Sequence, residues 1–386
     1  MTTQTFDAIV VGAGSVGLPA ALSLADAGLS TLVIDQFPGP GQGSNKAAIG
    51  GIRATHSTPA KIRLCLESLR IFSTWEALHG NAIEWAQGGY TFVAYREREE
   101  QSLKELLKVQ HQHGLNIRWL DRGEMLALNP NLNPEGLRGG TFSPEDGSAS
   151  PLLSSFVFHR RAVERGVQFR FGERVTGVVR RRGSVAGVRT DKGGYATATV
   201  VNAGGPWARS VAQSAGLDAP VVPDSHEGGI TEPVAPFMSP MVVDVRPAAG
   251  SANYYFYQHK PGGVVFCITP DPPIIGTDRR ETSAYLPMIA KRMVDLIPKL
   301  ANIKVRRTWR GLYPMTPDGS PMVGWAKEVE GYLMAIGMCG QGLMLGPGLG
   351  ELLARMVSRA PLSPEDEETL AILSPYRAFK AAEALK

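Results

Sequence analysis

The chain has 386 residues, of which 40 are basic and 36 are acidic, so that its formal net charge is +4. A charge this small and this dispersed argues against the binding of nucleic acid or of an anionic membrane surface. The length exceeds that of one typical core, and we therefore expect two domains, either consecutive or interleaved.

The cysteines and the apolar stretches indicate the cellular compartment. Cys65, Cys267 and Cys339 are far apart and form no CxxC pair, which favours a reducing compartment over a disulfide framework or a metal site. The first predicted strand begins at Asp7, which leaves no room for a signal peptide. No apolar stretch reaches the roughly 18 residues that span a bilayer. We predict a cytoplasmic protein without a transmembrane segment.

Residues 7–35 have the pattern strand, glycine-rich turn, helix, strand, acidic residue. The turn contains three spaced glycines, Gly12, Gly14 and Gly17. In this context the first glycine permits a tight turn, the second lets the backbone approach a pyrophosphate, and the third allows close packing of helix and strand. The carboxylate of Asp35, at the end of the second strand, is suited to the hydroxyls of an adenosine ribose. The pattern predicts a dinucleotide with a free 2′-hydroxyl, and at this point NAD and FAD both fit.

The following segments suggest a second sheet and a second anion-facing helix. A long loop over 37–51 predicts a cofactor-lining segment. Periodicity then predicts helices over 59–78 and 98–114 and a strand over 89–94. It predicts a hairpin of 167–179 with 185–190, with the three arginines 180–182 at its tip. A buried strand over 198–205 and a strand-rich region over 221–275 follow. Near the carboxyl end, a strand over 331–337, a glycine-rich turn and a helix from about 348 to 358 would place a helix amino terminus opposite an anion.

Together these elements predict an α/β (α+β) fold in which a Rossmann-like nucleotide-binding domain is built from both ends of the chain. A mixed β-sheet substrate domain is interleaved with it. We assign 1–85, 145–220 and 305–386 to the nucleotide-binding domain, and 86–144 and 221–304 to the substrate domain.

Several motifs are spread over nearly the whole chain. They are the amino-terminal glycine motif, Gly50–Arg53, Val201–Trp207, Gly311–Gly319 and Gly340–Pro347. Together they resemble the D-amino-acid oxidase superfamily of FAD-dependent oxidoreductases. The resemblance is strongest to the branch that contains the beta subunits of multisubunit sarcosine oxidase and of dye-linked L-proline dehydrogenase.

The resemblance implies that the cofactor is FAD and that no metal is needed. The residues it implies at the cofactor are Gly12, Gly14, Ser15, Val16, Gly17, Asp35, Gln36, Ser44, Lys46, Gly51, Arg53, Val175, Ala203, Gly204, Trp207, Gly311, Tyr313, Gly340, Gln341, Gly342, Leu343 and Met344. The cysteine that tethers FAD in monomeric sarcosine oxidase aligns with Gly311, and the histidine that tethers FMN in the multisubunit enzyme aligns within 147–151, where no histidine stands. Non-covalent FAD and no covalent FMN are therefore expected.

Relatives remove hydride from the carbon that bears an amine and leave an imine. The resemblance thus implies an FAD-dependent dehydrogenase or oxidase acting on a small primary or secondary amine or amino acid such as sarcosine, proline or glycine. The cations that hold the substrate carboxylate in relatives align with Met344 and Tyr313, so other residues must act here. The candidate catalytic residues are His56, Tyr255, Tyr257 and Arg310, and Arg53 and Tyr313 are further candidates for the carboxylate.

A lysine that helps monomeric sarcosine oxidase to activate oxygen aligns approximately with Phe266. Slow reaction with oxygen is therefore expected, with electrons passing to a dye, a quinone or a partner subunit in a homo- or hetero-oligomer. Two alternatives stay open. One is a flavoprotein that oxidises a 2-hydroxy acid with His56 as base, and the other is a catalytically silent FAD-binding assembly protein, which the missing cations suggest.

Overall fold

The computed structural model describes residues 4–80, 83–379 and 383–385. The strands of this part of the chain are β1 (Thr5–Phe6), β2 (Ala8–Val11), β3 (Thr31–Asp35), β4 (Gly51–Ile52), β5 (Tyr90–Ala94), β6 (Arg118–Asp121), β7 (Gly139–Ser143), β8 (Gly147–Ser148), β9 (Gln168–Phe171), β10 (Val175–Arg181), β11 (Ser184–Thr190), β12 (Gly194–Thr197), β13 (Val200–Asn202), β14 (Val222–Pro233), β15 (Met241–Asp244), β16 (Ser251–Gln258), β17 (Gly263–Pro270), β18 (Val305–Met315), β19 (Met322–Trp325) and β20 (Tyr332–Ile336).

The α-helices of the same part are α1 (Gly17–Asp26), α2 (Pro59–His79), α3 (Glu97–Gln112), α4 (Arg122–Leu128), α5 (Pro151–Glu164), α6 (Ala208–Ser214), α7 (Tyr285–Leu296), α8 (Gly342–Ser358) and α9 (Pro364–Ile372). Short 3₁₀ helices cover Asn45–Ala47, Gly205–Trp207 and Pro298–Asn302. None of the helices in the described ranges is long and apolar enough to cross a membrane.

A six-stranded sheet with the order β19-β20-β13-β2-β3-β9 forms the nucleotide-binding layer. Its inner strands run parallel and are almost wholly apolar, as expected for strands covered on both faces. Because parallel strands end at one edge, the turns after β2, β3, β13 and β20 meet there. The predicted Rossmann-like unit at residues 7–35 is confirmed, and both ends of the chain contribute to its sheet.

The predicted hairpin of 167–179 with 185–190 is wrong in its first half. Residues 168–171 form β9, which pairs in parallel with β3 in the six-stranded sheet. Of residues 167–179, only those in β10 pair with β11, in a separate four-stranded sheet. The chain leaves the first sheet at Gly172, where φ is +62° and the amide donates to Phe37 O at 2.8 Å. The predicted hairpin tip is correct, with Arg182 and Gly183 at its turn.

The eight-stranded mixed sheet has the order β18-β14-β17-β16-β15-β5-β7-β6. One face packs against α7 through Tyr254, Phe256 and Phe266. The other face carries Tyr90 and Tyr257 and lies toward the segment before β4. The fold is therefore the predicted mixed α/β architecture with a second, β-rich layer.

Two elements near the carboxyl end bear on the predicted boundaries. The strand Val305–Met315, which we assigned to the nucleotide-binding part, lies at the edge of the eight-stranded sheet and pairs with β14 over its length. Helix α8 begins at Gly342 rather than near residue 348. The helix therefore includes Gly346 and Pro347, and a Cβ at Gly346 would overlap Ser15 O. That glycine serves the close approach of α8 to α1. The domain boundaries stay predictions.

Candidate active site

A cavity of about 600 Å³ lies where the turns of the six-stranded sheet meet, a size typical of a site for a bound organic ligand. Most of the predicted cofactor residues line this first cavity: Gly12, Gly14, Ser15, Val16, Asp35, Gln36, Ser44, Val175, Ala203, Gly204, Trp207, Gly311, Tyr313, Gly340, Gly342 and Leu343. The cavity therefore joins the amino-terminal turn, the middle of the chain and the carboxyl-terminal turn.

The glycine turn has the geometry that a pyrophosphate requires. Gly12 has a φ of +108°, and a Cβ there would lie 2.5 Å from Ala203 O. A Cβ at Gly17 would overlap Gly12 O, which explains the need for glycine at a residue that does not line the cavity. By contrast, a Cβ at Gly14 would meet nothing within 4 Å. Helix α1 has no side-chain cap and no acid in its first turn, so its amino terminus can face an anion.

The Asp35 carboxylate lies in the wall of this cavity, at the end of β3. Its Oδ2 accepts a hydrogen bond from Ala13 N at 2.7 Å, and its Oδ1 accepts one from Phe37 N at 2.8 Å. Burial raises the pKa of this carboxyl, while the two backbone donors act in the opposite direction. Each oxygen keeps accepting capacity for a ribose hydroxyl. Val175 lies on the same wall, together with Arg174.

The opposite end of the cavity is formed by the turn before α8. Gly340 has a φ of +83°, and a Cβ there would overlap the Tyr313 ring. Helix α8 begins two residues later with neither a side-chain cap nor an acid in its first turn. Its amino terminus thus presents free N–H groups and the positive end of the helix dipole to the cavity. The arrangement suits a group that gains negative charge on reduction.

Six predicted cofactor residues do not line the first cavity: Gly17, Lys46, Gly51, Arg53, Gln341 and Met344. Lys46 lines a second cavity of about 380 Å³ that shares only Ala47 and Ala48 with the first. Gln341 and Met344 are buried next to the α8 turn. Gly51 lies against Met241 and the Tyr90 hydroxyl, where a Cβ would come within 2.9 Å of the methionine.

Two tyrosine hydroxyls meet beside the α8 turn. Tyr255 Oη and Tyr313 Oη are 2.8 Å apart. Burial raises the pKa of both phenols well above the ordinary value, so both are protonated at neutral pH. The Cys267 thiol lies within hydrogen-bonding reach of both hydroxyls, so the two phenols and the thiol form one polar cluster. Tyr255 thus lies next to Tyr313, which lines the first cavity, and its substrate-facing role stays a prediction.

The other candidate catalytic residues lie elsewhere. Tyr257 and Arg310 line the second cavity, with Tyr257 Oη donating to Ile49 O at 2.6 Å. Arg310 Nε donates to Ser225 Oγ at 2.9 Å and its Nη1 to Arg280 O at 3.1 Å, as in a structural anchor. His56 is fully buried and lines neither of these cavities. Burial, Arg53 and Lys61 hold its pKa well below the ordinary value, so the ring is neutral.

Arg53 is the guanidinium that follows β4. Its Nη2 donates to Leu385 O at 2.7 Å, and its Nη1 donates to Thr55 O. The buried carboxylate of Asp146 holds the same loop, accepting from Ala54 N at 2.9 Å and from Thr55 Oγ at 2.7 Å. Burial raises the pKa of Asp146 to about 6.

Phe266, which aligns approximately with the oxygen-activating lysine, packs on the far face of the sheet, 6.3 Å from the Tyr285 ring of α7. Its neighbour Val265, which pairs with Tyr257, lines the second cavity. Cationic side chains line the same cavity, namely Lys46, Lys260, Arg307 and Arg310. The alignment of Phe266 with the lysine stays a prediction.

Several lining residues were not singled out from the sequence. Phe37, Ala47, Arg174 and Met338 contribute to the first cavity. Phe37 and Ala47 belong to the loop over 37–51, which was predicted to line the cofactor as a segment without a role for either residue. Arg174 lies just before β10 and Met338 lies just after β20, and no local signal marks either of them.

The fold and the site together are those of a dinucleotide-dependent oxidoreductase in which the amino terminus of a helix, here α8, can face a flavin. Residues 7–356 match the family DAO, FAD dependent oxidoreductase. The chain belongs to this family, and its cofactor is FAD. The predicted family, cofactor and enzyme class are confirmed.

The chain is similar to several known amine and amino acid oxidoreductases. Human mitochondrial sarcosine dehydrogenase is 27% identical over 370 residues, covering 92% of this chain but only 40% of the relative's length. The sarcosine oxidase subunit beta of Rhizobium meliloti (strain 1021) is 26% identical, with 92% of this chain and 85% of the relative covered. The crystal structure of L-proline dehydrogenase from P. horikoshii superimposes with a TM-score of 0.90 at 27% identity, over 97% and 98% of the two chains.

Proposed function

We propose that this protein oxidises the carbon–nitrogen bond of a small amine or amino acid, such as sarcosine, proline or glycine, and yields an imine. The observation that carries this proposal is the hydroxyl pair of Tyr255 and Tyr313 beside the flavin-facing turn. The similarity to proline and sarcosine dehydrogenases supports it. FAD, when bound, supplies the acceptor for the hydride.

The chain's own residues have three tasks in this reaction. The glycine turn at Gly12 and Gly14 binds the pyrophosphate, and Asp35 binds the ribose. The amino terminus of α8 stabilises negative charge on the reduced flavin. The Tyr255–Tyr313 pair positions a polar group of the substrate, so that the amine-bearing carbon is held for hydride transfer.

We assign the substrate carboxylate, where there is one, to Arg53, which lines neither cavity while its Nη2 donates to Leu385 O. The carboxylate reaches Arg53 only when that contact opens. Its guanidinium is 95% buried, and its carbon lies 5.4 Å from the Phe92 ring centroid and 5.8 Å from that of Tyr90. A guanidinium in so dry a place binds a carboxylate strongly through two parallel hydrogen bonds. Arg53 follows β4 directly, and Gly51 of that strand touches Tyr90.

The test is anaerobic titration of the FAD-loaded protein with proline, sarcosine, glycine and 2-hydroxyglutarate. We expect one of the amines to bleach the oxidised flavin spectrum while the hydroxy acid does not. Burial, Arg53 and Lys61 hold the pKa of His56 well below the ordinary value, so this histidine is a weak base for the proton of a hydroxyl. Bleaching by 2-hydroxyglutarate alone would favour the hydroxy acid alternative, and failure of every compound would favour a silent assembly protein.

The electron acceptor is the second half of the proposal. We propose that electrons leave to a quinone, a dye or a partner subunit rather than to oxygen, because Phe266, which aligns approximately with the oxygen-activating lysine of monomeric sarcosine oxidase, is buried in an apolar strand. Relatives include a sarcosine oxidase subunit and a hydrogen cyanide synthase subunit, which support assembly with a partner. The cytoplasmic location stays a prediction.

A further inference from the structure

The segment Glu383–Leu385, called here the terminal segment, is anchored inside the protein by a carboxylate. Glu383 accepts hydrogen bonds from Ser57 N at 2.9 Å, from Ser57 Oγ at 2.6 Å and from Thr58 Oγ at 2.9 Å. It also pairs with Lys61 Nζ at 3.1 Å, and both side chains are fully buried. A buried pair of this kind is strongly coupled, because removal of one partner leaves an uncompensated charge.

A second anchor lies two residues further on. The side chain of Leu385 is 4% exposed and packs in the cluster that contains Tyr90, Phe92, Met241 and Tyr257. This cluster covers the face of the eight-stranded sheet that lies toward β4. The terminal segment therefore fills space between the substrate sheet and the loop that carries Arg53.

The terminal segment also occupies the guanidinium of Arg53. Leu385 O accepts from Arg53 Nη2 at 2.7 Å, while Nη1 is used by Thr55 O of its own loop. A peptide carbonyl is neutral and takes one donor here, whereas a carboxylate carries a charge and takes two. A substrate carboxylate is thus a better partner for Arg53 than the carbonyl that holds it.

We propose that the terminal segment is an autoinhibitory strap: Leu385 O holds the anion position of Arg53 in the ligand-free protein, and a bound carboxylate displaces it. The inference rests on the proposed function in so far as Arg53 binds the substrate's carboxylate. Its consequence is a conformational cost of binding, since the apparent affinity is reduced by the fraction of molecules in which the strap is released.

Hydrogen–deuterium exchange of the FAD-loaded protein tests the displacement directly. Ala384 N donates to Ser57 Oγ at 3.1 Å and Leu385 N to Glu383 Oε1 at 3.2 Å, so both amides are protected in the closed form. We expect saturating acetate to accelerate their exchange and acetamide, its neutral counterpart, to leave it unchanged. Unchanged exchange with acetate, or exchange at the rate of a free peptide before any addition, would overturn the proposal.

Variants provide a second, independent readout. Leu385→Ala removes the apolar anchor of the closed form and should tighten acetate binding about tenfold, read from the flavin spectrum. Glu383→Gln should act in the same direction, and Glu367→Gln, an exposed acid of α9, is the matched control. Unaltered acetate affinity in folded Leu385→Ala contradicts the strap. Acetate is not oxidised, so this outcome can be read even if no amine reduces the flavin.

Discussion

Tyr313 lies between the ring of His226 and the backbone of Gly340. The two ring centroids are 3.6 Å apart with an interplanar angle of 16°, and on the other side no Cβ would fit at Gly340. This packing fixes the phenol in one orientation, with its hydroxyl on Tyr255. The polar end of the proposed substrate site is therefore set by packing on the cofactor turn, so that changes at the turn will also alter the substrate site.

Gly340→Ala should damage both the cofactor turn and the proposed substrate site. An added Cβ would overlap the Tyr313 ring, and a φ of +83° is strained for any residue with a side chain. We expect a loss of about 2 kcal/mol or more in the free energy of unfolding, together with reduced FAD content. Thermal unfolding and flavin absorbance measure the two effects. Gly193→Ala, in a turn where a Cβ meets nothing within 4 Å, serves as control.

Gly12 and Gly14 should respond differently to the same substitution. Gly12→Ala introduces a contact of 2.5 Å with Ala203 O at a positive φ and should destabilise the apoprotein. Gly14→Ala meets no protein atom and should leave the apoprotein stable while weakening FAD binding, because its methyl group projects toward the pyrophosphate. Unfolding of the apoprotein and FAD titration separate the cases. Normal FAD affinity in Gly14→Ala would contradict the placement of the pyrophosphate.

The hydroxyl pair should act as a unit. Tyr255→Phe and Tyr313→Phe each remove one hydroxyl with little change in shape, and each should raise KM for the amine substrate about five- to tenfold, the equivalent of about 1 kcal/mol. The double variant should cost less than the sum of the single ones. Tyr376→Phe, a half-exposed phenol far along the chain, is the control. Full additivity would show that the two hydroxyls do not cooperate at the substrate.

Asp146 should make stability fall as pH rises. Burial raises its pKa to about 6 in the folded protein, whereas an unfolded aspartate titrates near 3.9. Between these values the folded state binds a proton that the unfolded state has lost, so the free energy of unfolding decreases with rising pH by up to about 3 kcal/mol and then levels off. Asp146→Asn should remove this slope. Denaturant unfolding at pH 4, 5, 6 and 7 compares the two proteins, and parallel curves would refute the assignment.

Oxygen reactivity should be low, because the position that aligns with the oxygen-activating lysine is apolar. We expect air to reoxidise the reduced wild-type protein slowly. Phe266→Lys buries a charge against α7 and should unfold the protein. Val265→Lys adds a cation to a cavity that already holds Lys46, Lys260, Arg307 and Arg310, and it should leave the reoxidation rate unchanged. Stopped-flow mixing with aerated buffer measures the rates. Reoxidation of the wild-type protein within seconds would contradict the proposal that electrons pass to an acceptor other than oxygen.

The sequence was sufficient for the βαβ unit because its signals are local. The turn at Gly12 and the acid at Asp35 lie within one short segment, and the structure brings them to one cavity as expected. The sequence predicts less well which face of the sheet a side chain takes, because a shift of one residue moves it to the opposite side. The approximate alignment pointed to Phe266. Only the pairing of Val265 with Tyr257 shows that Val265 is the residue facing the second cavity.

Contacts between distant segments had no signal in the sequence. Nothing in the local pattern of Glu383 distinguishes it from the exposed acids of α9, and its burial depends on Lys61, more than three hundred residues earlier. Residues 305–315 are a similar case, since only pairing with β14 decides which sheet the strand joins. Their assignment to the nucleotide-binding part stays a prediction.

Gly346, the glycine of α8 that lies against Ser15, has a mechanical consequence together with Gly348. A Cβ at Gly348 would overlap Leu64 O of α2, so this helix is wedged between two neighbours by backbone-to-backbone contact. Such contacts leave no slack for sliding or rotation. The start of α8, which lines the first cavity at Gly342 and Leu343, is accordingly a rigid part of the cavity wall.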